Sequence, residues 1–338
     1  MNDLSLVVLS DFGAPKHGTE LGFLKGSVPA RGTLDERLAL WREGPASWGY
    51  PAPLGNMIVG QVVESGSAVT NISVGDRVAV YSPSQAYLKE EALRCWKLPD
   101  SLSWQSAVCL DPADFAFAGI RDGNVRIGDA VAVFGLGAIG LLALRFAVLS
   151  GASPVIGVDS LPSRRDVAIR FGASAVVDPD AEDAGRSIKE QTHARGVDVA
   201  IDFRGRVESL QHALRAVAFG GNVVAGAMPG PYPAGLDLGA EAHLNRPNLI
   251  FSRACSDPNR DHPRWDEARI LSTCKAYLLS GQICGDHLID RVVPFADFRE
   301  AYLDVAQEPW KQIKLGIRFG DSIDANSLRP QQTPTERS

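Results

Sequence analysis

The decapeptide VAVFGLGAIG, residues 131–140, constrains this chain more than any other stretch. A short apolar run leads into Gly135, Gly137 and Gly140, and a second apolar run, IGLLALRFAVL, follows at once. A strand that turns on a first glycine, brings its backbone close to a ligand at a second, and packs a helix tightly at a third is the arrangement that receives a pyrophosphate. The helix N-terminus then presents unpaired N–H groups and the positive end of its dipole to that anion. The next apolar run, PVIGVD, ends at Asp159, which is 159 − 140 = 19 residues past the third glycine. An acid at that distance is placed to hydrogen-bond an adenosine ribose.

These features predict a dinucleotide site built from Gly135, Leu136, Gly137, Ala138, Ile139 and Asp159. Ser160 and Arg164 stand at the start of the next helix, and Phe203 and Ala227 follow two later strands. A carboxylate at 159 accepts from a ribose 2′-OH and repels a 2′-phosphate, which favours NAD over NADP. Arg164 and Arg165 either soften that preference or are solvated first-turn residues of the following helix.

The surroundings fit such a site. From Asp129 onward short apolar runs (VAVF, PVIGV, SAVV, VDVAIDF, NVVAGAM) alternate with helical patterns, among them VESLQHALRAVAF. Continuous apolar strands interleaved with helices predict a parallel sheet covered on both faces. The first part of the chain reads differently, with strand-like LSLVVLS, MIVGQVVESG and DRVAVYS separated by turn clusters. Residues 103–123 read as one helix capped by Ser103 and stopped at Asp122-Gly123, and residues 263–282 as a long amphipathic helix. NLIFSRA, 248–254, is a last apolar strand candidate, and DSIDANSLRPQQTPTERS, 321–338, a polar tail.

Composition narrows the function classes. The 34 basic and 40 acidic side chains give a net charge of −6, without a basic cluster, which argues against nucleic acid as a partner. No run of 18 apolar residues and no basic leader with a long apolar core is present, so a cytoplasmic protein with no membrane association is expected. Five cysteines, Cys95, Cys109, Cys255, Cys274 and Cys284, are scattered without a CxxC pair. That spacing suits neither a structural zinc site nor a disulfide framework, and inert thiols are expected.

Taken together, GQVVESGSAVTNISVGDRVAV, KLPDSLSWQSAV, GDAVAVFGLGAIGLLALRFAVLSGAS, VDVAIDFRG and GGNVVAGAM resemble the medium-chain dehydrogenase/reductase superfamily, whose best-known members are zinc alcohol and polyol dehydrogenases. HGTELGFLKG and PRWDEARILSTCKAYLLSGQI resemble a short branch that includes bacteriochlorophyllide dehydrogenase-like proteins. The resemblance implies an α/β fold: a GroES-like irregular β domain, N-terminally shortened and so incompletely closed, joined to a Rossmann doubly wound parallel-sheet coenzyme domain. It places the catalytic domain at 1–112 and 289–320 and the dinucleotide-binding domain at 113–288. It also implies a homodimer through the coenzyme-sheet edge near 248–254.

The zinc positions of that superfamily correspond here to His17 (ahead of Gly18-Thr19-Glu20), Asn56-Met57 and Asp111. His17 and Asp111 are possible ligands. Asn56 is a poor substitute for imidazole, and Met57 offers only a thioether to a borderline metal. The structural-zinc lobe is replaced by VYSPSQAYLKEEALRCWKLP. No metal is therefore expected, and His17, Thr19, Asn56 and Asp111 become the catalytic candidates: His17 as general acid/base, Thr19 as a relay hydroxyl, Asn56 as a hydrogen-bond donor. Three readings remain open. The first is an NAD-dependent oxidoreductase acting on the carbonyl/alcohol of a small polar substrate such as a sugar, polyol or secondary metabolite. The others are a zinc-free enone or quinone-type reductase and a non-redox protein that keeps the fold.

Overall fold

Strands from both ends of the chain share one sheet, and the strands between residues 131 and 251 form another. The computed structural model describes residues 3–26, 32–45, 49, 51–232, 234–254 and 259–320. Cys255 and the 321–338 tail lie outside the described residues.

The first sheet is built around Ser5–Ala14, whose Leu6 and Val8 are fully buried while intervening residues are partly exposed. Its order runs Ile289–Pro294, Lys314–Arg318, Ser5–Ala14, Met57–Ser65, Arg77–Tyr81 and Cys95–Lys97, with Tyr87–Glu91 also pairing Ser5–Ala14. Along this order the path is open between its two end strands. Lys314–Arg318 lies antiparallel to Ser5–Ala14, with Phe12 opposite Arg318 and Gly13 opposite Ile317. Leu6, Val8, Ile58, Val78, Val80, Leu315 and Ile317 pack there with Phe298 and Tyr302 of the helix Phe298–Gln307. Each such aliphatic side chain contributes on the order of 1.5–3 kcal/mol by leaving water. This burial is what brings residues of the C-terminal strand beside those of the N-terminal one.

The second sheet has six parallel strands in the order Ala175–Val177, Val155–Val158, Val131–Phe134, Val197–Asp202, Val217–Ala225 and Asn248–Phe251. All four residues of Val131–Phe134 and of Val155–Val158 are buried, as a strand covered on both faces requires. Helices Leu110–Asp122 and Ala138–Leu149 cover one face, and Ala184–Gln191 and Val207–Ala216 the other. The strand order reverses between Val131–Phe134 and Val197–Asp202. A doubly wound sheet opens a crevice beyond the strand ends at such a reversal.

Local expectations needed adjustment. The stretch 103–123 is two helices, Trp104–Val108 and Leu110–Asp122, broken at Cys109; Ser103 caps the first by accepting from the Ser106 N–H at 3.1 Å. The helix expected through Phe219 stops at Ala216, because Val217 pairs with Val197 and begins a strand. Cross-strand pairing overrides the helical pattern there. The late helix is shorter than expected, Glu267–Leu279 with Asp266 as its cap. No helix among the described residues is long and apolar enough to cross a membrane.

Candidate active site

The glycine loop after Val131–Phe134 is built as its sequence requires. Gly135 has φ +86°, and a Cβ there would lie 2.8 Å from the Arg204 backbone nitrogen, across the sheet's switch point. A Cβ on Gly140 would collide with the Gly135 carbonyl oxygen. Gly137 differs: a Cβ there would meet nothing within 4 Å, and as N-cap of Ala138–Leu149 it leaves the first turn without a side-chain cap. The open space therefore lies where a phosphate would meet the helix N-terminus. These features fit a dinucleotide, whose nicotinamide supplies the hydride acceptor when bound.

Asp159, 1 % exposed, ends Val155–Val158 beside this loop. Its Oδ2 accepts the Leu136 N–H at 2.8 Å and its Oδ1 the Leu161 N–H at 2.9 Å. Leu136 therefore acts through its backbone, its side chain being fully buried. Arg164 is not a solvated residue. Its guanidinium lies 3.7 Å from Asp159 and donates to the carbonyls of Pro309 and Gln312 at 3.0 and 3.4 Å. Arg165 donates to the Asp159 carbonyl at 2.7 Å and pairs with Asp178 at 3.0 Å.

The loop opens into a cleft of about 540 Å³. Gly135, Gly137, Ala138, Ile139, Asp159, Ser160, Arg164 and Phe203 line it from the parallel-sheet side, and Lys16, His17, Asp111 and Lys314 from the other. Phe203 is seated against Gly119, where a Cβ would come within 2.9 Å of its ring. Ala227 instead contacts Gly205 and is not part of the lining.

Of the four catalytic candidates, His17 and Asp111 reach this cleft, while Thr19 and Asn56 do not line it. Asn56 uses its backbone to join the Ala14 carbonyl at 3.2 Å and the Ser82 N–H at 3.1 Å, and the Met57 that follows is core. The helix His17–Leu24 is anchored by Glu20, which accepts the N–H groups of Lys16 and Gly55 at 2.9 and 3.1 Å and the Tyr302 hydroxyl at 3.0 Å. Burial, reinforced by the Glu20 charge, raises the Tyr302 pKa and keeps that phenol protonated.

His17 Nε2 accepts the Leu315 N–H at 3.2 Å. Burial of the imidazole, with Lys314 and Arg164 nearby, pushes its pKa down to about 3. A neutral ring with Nε2 engaged as acceptor carries its proton on Nδ1, so at neutral pH this residue is a fixed donor rather than a titrating base. Asp111, 2 % exposed, pairs with the Lys16 ammonium at 2.9 Å, and that ammonium also sits 3.5 Å from the centroid of the Phe115 ring. Lys314 is 5 % exposed and donates to the Pro15 carbonyl at 2.7 Å.

The donor set does not suit zinc. The described residues contain no group of three or more His, Cys, Asp or Glu able to hold a metal. His17 is committed to a backbone N–H, Asp111 to an ammonium, and Met57 to the core. Cys109, at the break before the helix Leu110–Asp122, is a fully buried thiol pushed up to about 12 by burial. Cys274 is buried as well, and Cys95 and Cys284 are half-buried free thiols.

Residues 35–128 match the model of the alcohol dehydrogenase GroES-like domain, and residues 138–262 that of the zinc-binding dehydrogenase domain. A D-guloside 3-dehydrogenase of Escherichia coli K12 is 44 % identical over 321 residues, 91 % of each chain. This chain belongs to the zinc-type alcohol dehydrogenase-like, medium-chain dehydrogenase/reductase superfamily. The (R,R)-butanediol dehydrogenase of Bacillus subtilis is 30 % identical over 296 residues, 79 % of this chain and 81 % of that protein. In fold, the zinc-dependent alcohol dehydrogenase 2 from Streptococcus pneumonia superposes with a TM-score of 0.75 at 22 % identity, covering 96 % of this chain and 93 % of that one.

As a member of this superfamily the protein is an oxidoreductase of the NAD(P)-dependent dehydrogenase type, so the non-redox reading falls away. Several cleft residues escaped the sequence reading, the charged Lys16, Arg204, Arg206 and Lys314 among them. Lys16 was hidden beside the more conspicuous His17. Lys314 sits in an ordinary strand pattern, KLGIR, whose only signal is a lysine heading a buried apolar triplet before the exposed Arg318.

Proposed function

We propose that this protein is an NAD-dependent dehydrogenase that exchanges a hydride with the carbonyl/alcohol pair of a sugar or polyol, and that it does so without a catalytic zinc. The observation that carries this reading is the composition of a single cleft. Its floor is the phosphate loop with Asp159, and its opposite wall holds Lys16, Asp111 and Lys314, with His17 committed to a backbone N–H. NAD is preferred because Asp159 stands at the ribose position with its charge buried. A polar substrate is supported by the relatives' names, which include a D-guloside 3-dehydrogenase and a probable D-xylulose reductase A.

Within this reading, the hydroxyl to be oxidised is oriented by ammonium groups, and the Lys16–Asp111 pair leaves little net charge at the reacting centre. The wall's lysines and the neutral His17 take over the polarising role that a metal ion fills elsewhere in the superfamily. The protein acts in the cytoplasm as a homodimer. The edge strand Asn248–Phe251 of the parallel sheet supports that assembly, with Leu249 41 % and Phe251 76 % exposed.

The test combines three measurements on the purified full chain. Metal analysis is expected to find well under one zinc per chain, and calorimetry to find NADH bound more tightly than NADPH. Oxidation of a panel of methyl hexopyranosides, gulosides included, and of pentitols is expected with NAD and to survive chelation. About one tightly held zinc per chain, with activity lost on its removal, overturns the zinc-free reading. Turnover of enones with NADPH but of no sugar or polyol overturns the substrate class.

A further inference from the structure

We propose that Asp202 is a positioning residue for the dinucleotide, its carboxylate holding the turn 203–206 in the shape that completes the cofactor side of the cleft. This role deepens the dehydrogenase reading above and rests on it. Asp202 ends the strand Val197–Asp202, with Phe134 as its neighbour across the sheet's switch point. Phe203, Arg204 and Arg206, which follow it, line the cleft together with Gly135 and Gly137, whereas Asp202 itself does not and is 1 % exposed. Its Oδ1 accepts the Arg204 N–H at 2.9 Å and the Gly205 N–H at 3.3 Å. A side chain that accepts from the backbone two and three residues on closes the chain into a tight turn.

The turn is packed directly against the glycine loop. The Phe203 N–H donates to the Phe134 carbonyl at 2.9 Å, the Gly226 N–H donates to the Asp202 carbonyl at 2.9 Å, and Gly205 has φ +69°. A Cβ on Gly226 would lie 2.5 Å from the Phe203 ring and one on Gly119 2.9 Å from it, so the ring is clasped between two glycines. A Cβ on Gly135 would lie 2.8 Å from the Arg204 backbone nitrogen. That is the nitrogen whose N–H is held by Asp202, so a shift of Arg204 is felt at the first glycine of the loop. Interiors packed this closely transmit small displacements.

Asparagine closes the same kind of turn, and what aspartate adds is a charge. The groups facing the carboxylate are Arg204 in the turn, Ser209 on the helix Val207–Ala216, and Tyr232. Burial raises the Asp202 pKa to about 6, with the Arg204 and Gly205 N–H groups, the Ser209 hydroxyl and the Arg204 charge opposing it. An ionised carboxylate accepts N–H donors more strongly than a neutral oxygen does. Above pH 6 the turn is therefore held firmly. As pH falls through 6 the hold weakens, and the dinucleotide is bound less tightly.

Asp202→Asn and Asp202→Ala test this on the purified full chain, with NADH as the probe in fluorescence titrations. Turnover is followed with NAD and whichever methyl hexopyranoside or pentitol the wild type oxidises fastest. At pH 7.5 the Kd for NADH is expected to rise about fivefold in Asp202→Asn, which keeps an acceptor oxygen, and about 30-fold or more in Asp202→Ala. KM for NAD is expected to rise in step, while kcat at saturating NAD stays within about threefold of wild type. Between pH 7.5 and pH 5 the wild-type affinity for NADH is expected to fall about threefold or more, and that of Asp202→Asn to stay nearly level. Hydrogen exchange of the wild type without cofactor, corrected for the intrinsic effect of pH, is expected to show residues 203–206 losing protection below pH 6 while 131–134 keep theirs. That measurement stands even if a variant fails to fold. Wild-type-like affinity in both folded variants, the same pH dependence in Asp202→Asn as in wild type, or unchanged protection at 203–206 overturns the positioning role and leaves the dehydrogenase reading intact. Failure of the wild type to bind either dinucleotide overturns both.

Discussion

Arg164 donates to the Pro309 carbonyl at 3.0 Å, so the helix that begins just after Asp159 is tied to the loop that leads into Lys314. One side chain thereby touches Asp159 on one side of the cleft and the segment leading to the opposite wall on the other. Arg164→Ala removes hydrogen bonds from a charged donor, each worth ~1.5–3 kcal/mol. It is expected to weaken NADH binding about tenfold and to speed amide exchange at residues 309–313. Binding by fluorescence titration and exchange by mass spectrometry check this together.

Gly137 is the loop position where a side chain meets empty space rather than protein. Gly137→Val is therefore expected to leave the melting temperature within about 2 °C of wild type while filling the phosphate cradle. Dinucleotide affinity is expected to fall at least about 100-fold, ~2.7 kcal/mol. By contrast, Gly140→Val, whose Cβ collides with the Gly135 carbonyl, is expected to destabilise the fold itself. Calorimetry and thermal denaturation distinguish the two.

On the proposed reading, Asp159 sets a preference for NAD through its charge. In Asp159→Asn the carboxamide still offers one oxygen to the Leu161 or Leu136 N–H. The repulsion of a 2′-phosphate is gone. The ratio of kcat/KM for NADPH to that for NADH is expected to rise about tenfold or more, corresponding to ~1.4 kcal/mol. An unchanged ratio would show that Arg164 and the loop, not this carboxylate, set the preference.

His17 makes stability depend on pH. Its pKa falls from 6.5 in the unfolded chain to about 3 in the folded one, mainly through burial. Between those values the unfolded state binds the extra proton, so stability is full above the unfolded pKa and is lost as pH falls below it. From pH 7 to pH 5 this single group is expected to cost ~1–2 kcal/mol. Urea unfolding at both pH values should show a smaller difference in His17→Asn than in wild type.

How much of this was readable in the chain depends on the range of the interactions involved. The glycine turn and the place of Asp159 were legible because a tight turn, a helix start and a strand end are local, each dictated by residues within one βαβ unit. The same locality made the parallel sheet legible from uninterrupted apolar runs such as VAVF and VIGV. The helix break at Cys109 and the early stop at Ala216 were not, since packing and the pairing of Val217 with Val197 decide them.

The cleft wall opposite the glycine loop depends on contacts of the longest range. By itself the sequence determined a dinucleotide-binding α/β chain whose Asn56-Met57 pair departs from a zinc site. Only the tertiary structure decided what occupies the other wall. Lys314 and Pro15 are 299 residues apart, and they meet because the last strand lies antiparallel to the first with Phe12 opposite Arg318. That pairing is stabilised by burying Leu6, Val8, Leu315 and Ile317 in one core. Pairing across such a separation leaves no local periodicity in the chain, which is why a buried lysine at the cleft became visible only in the fold.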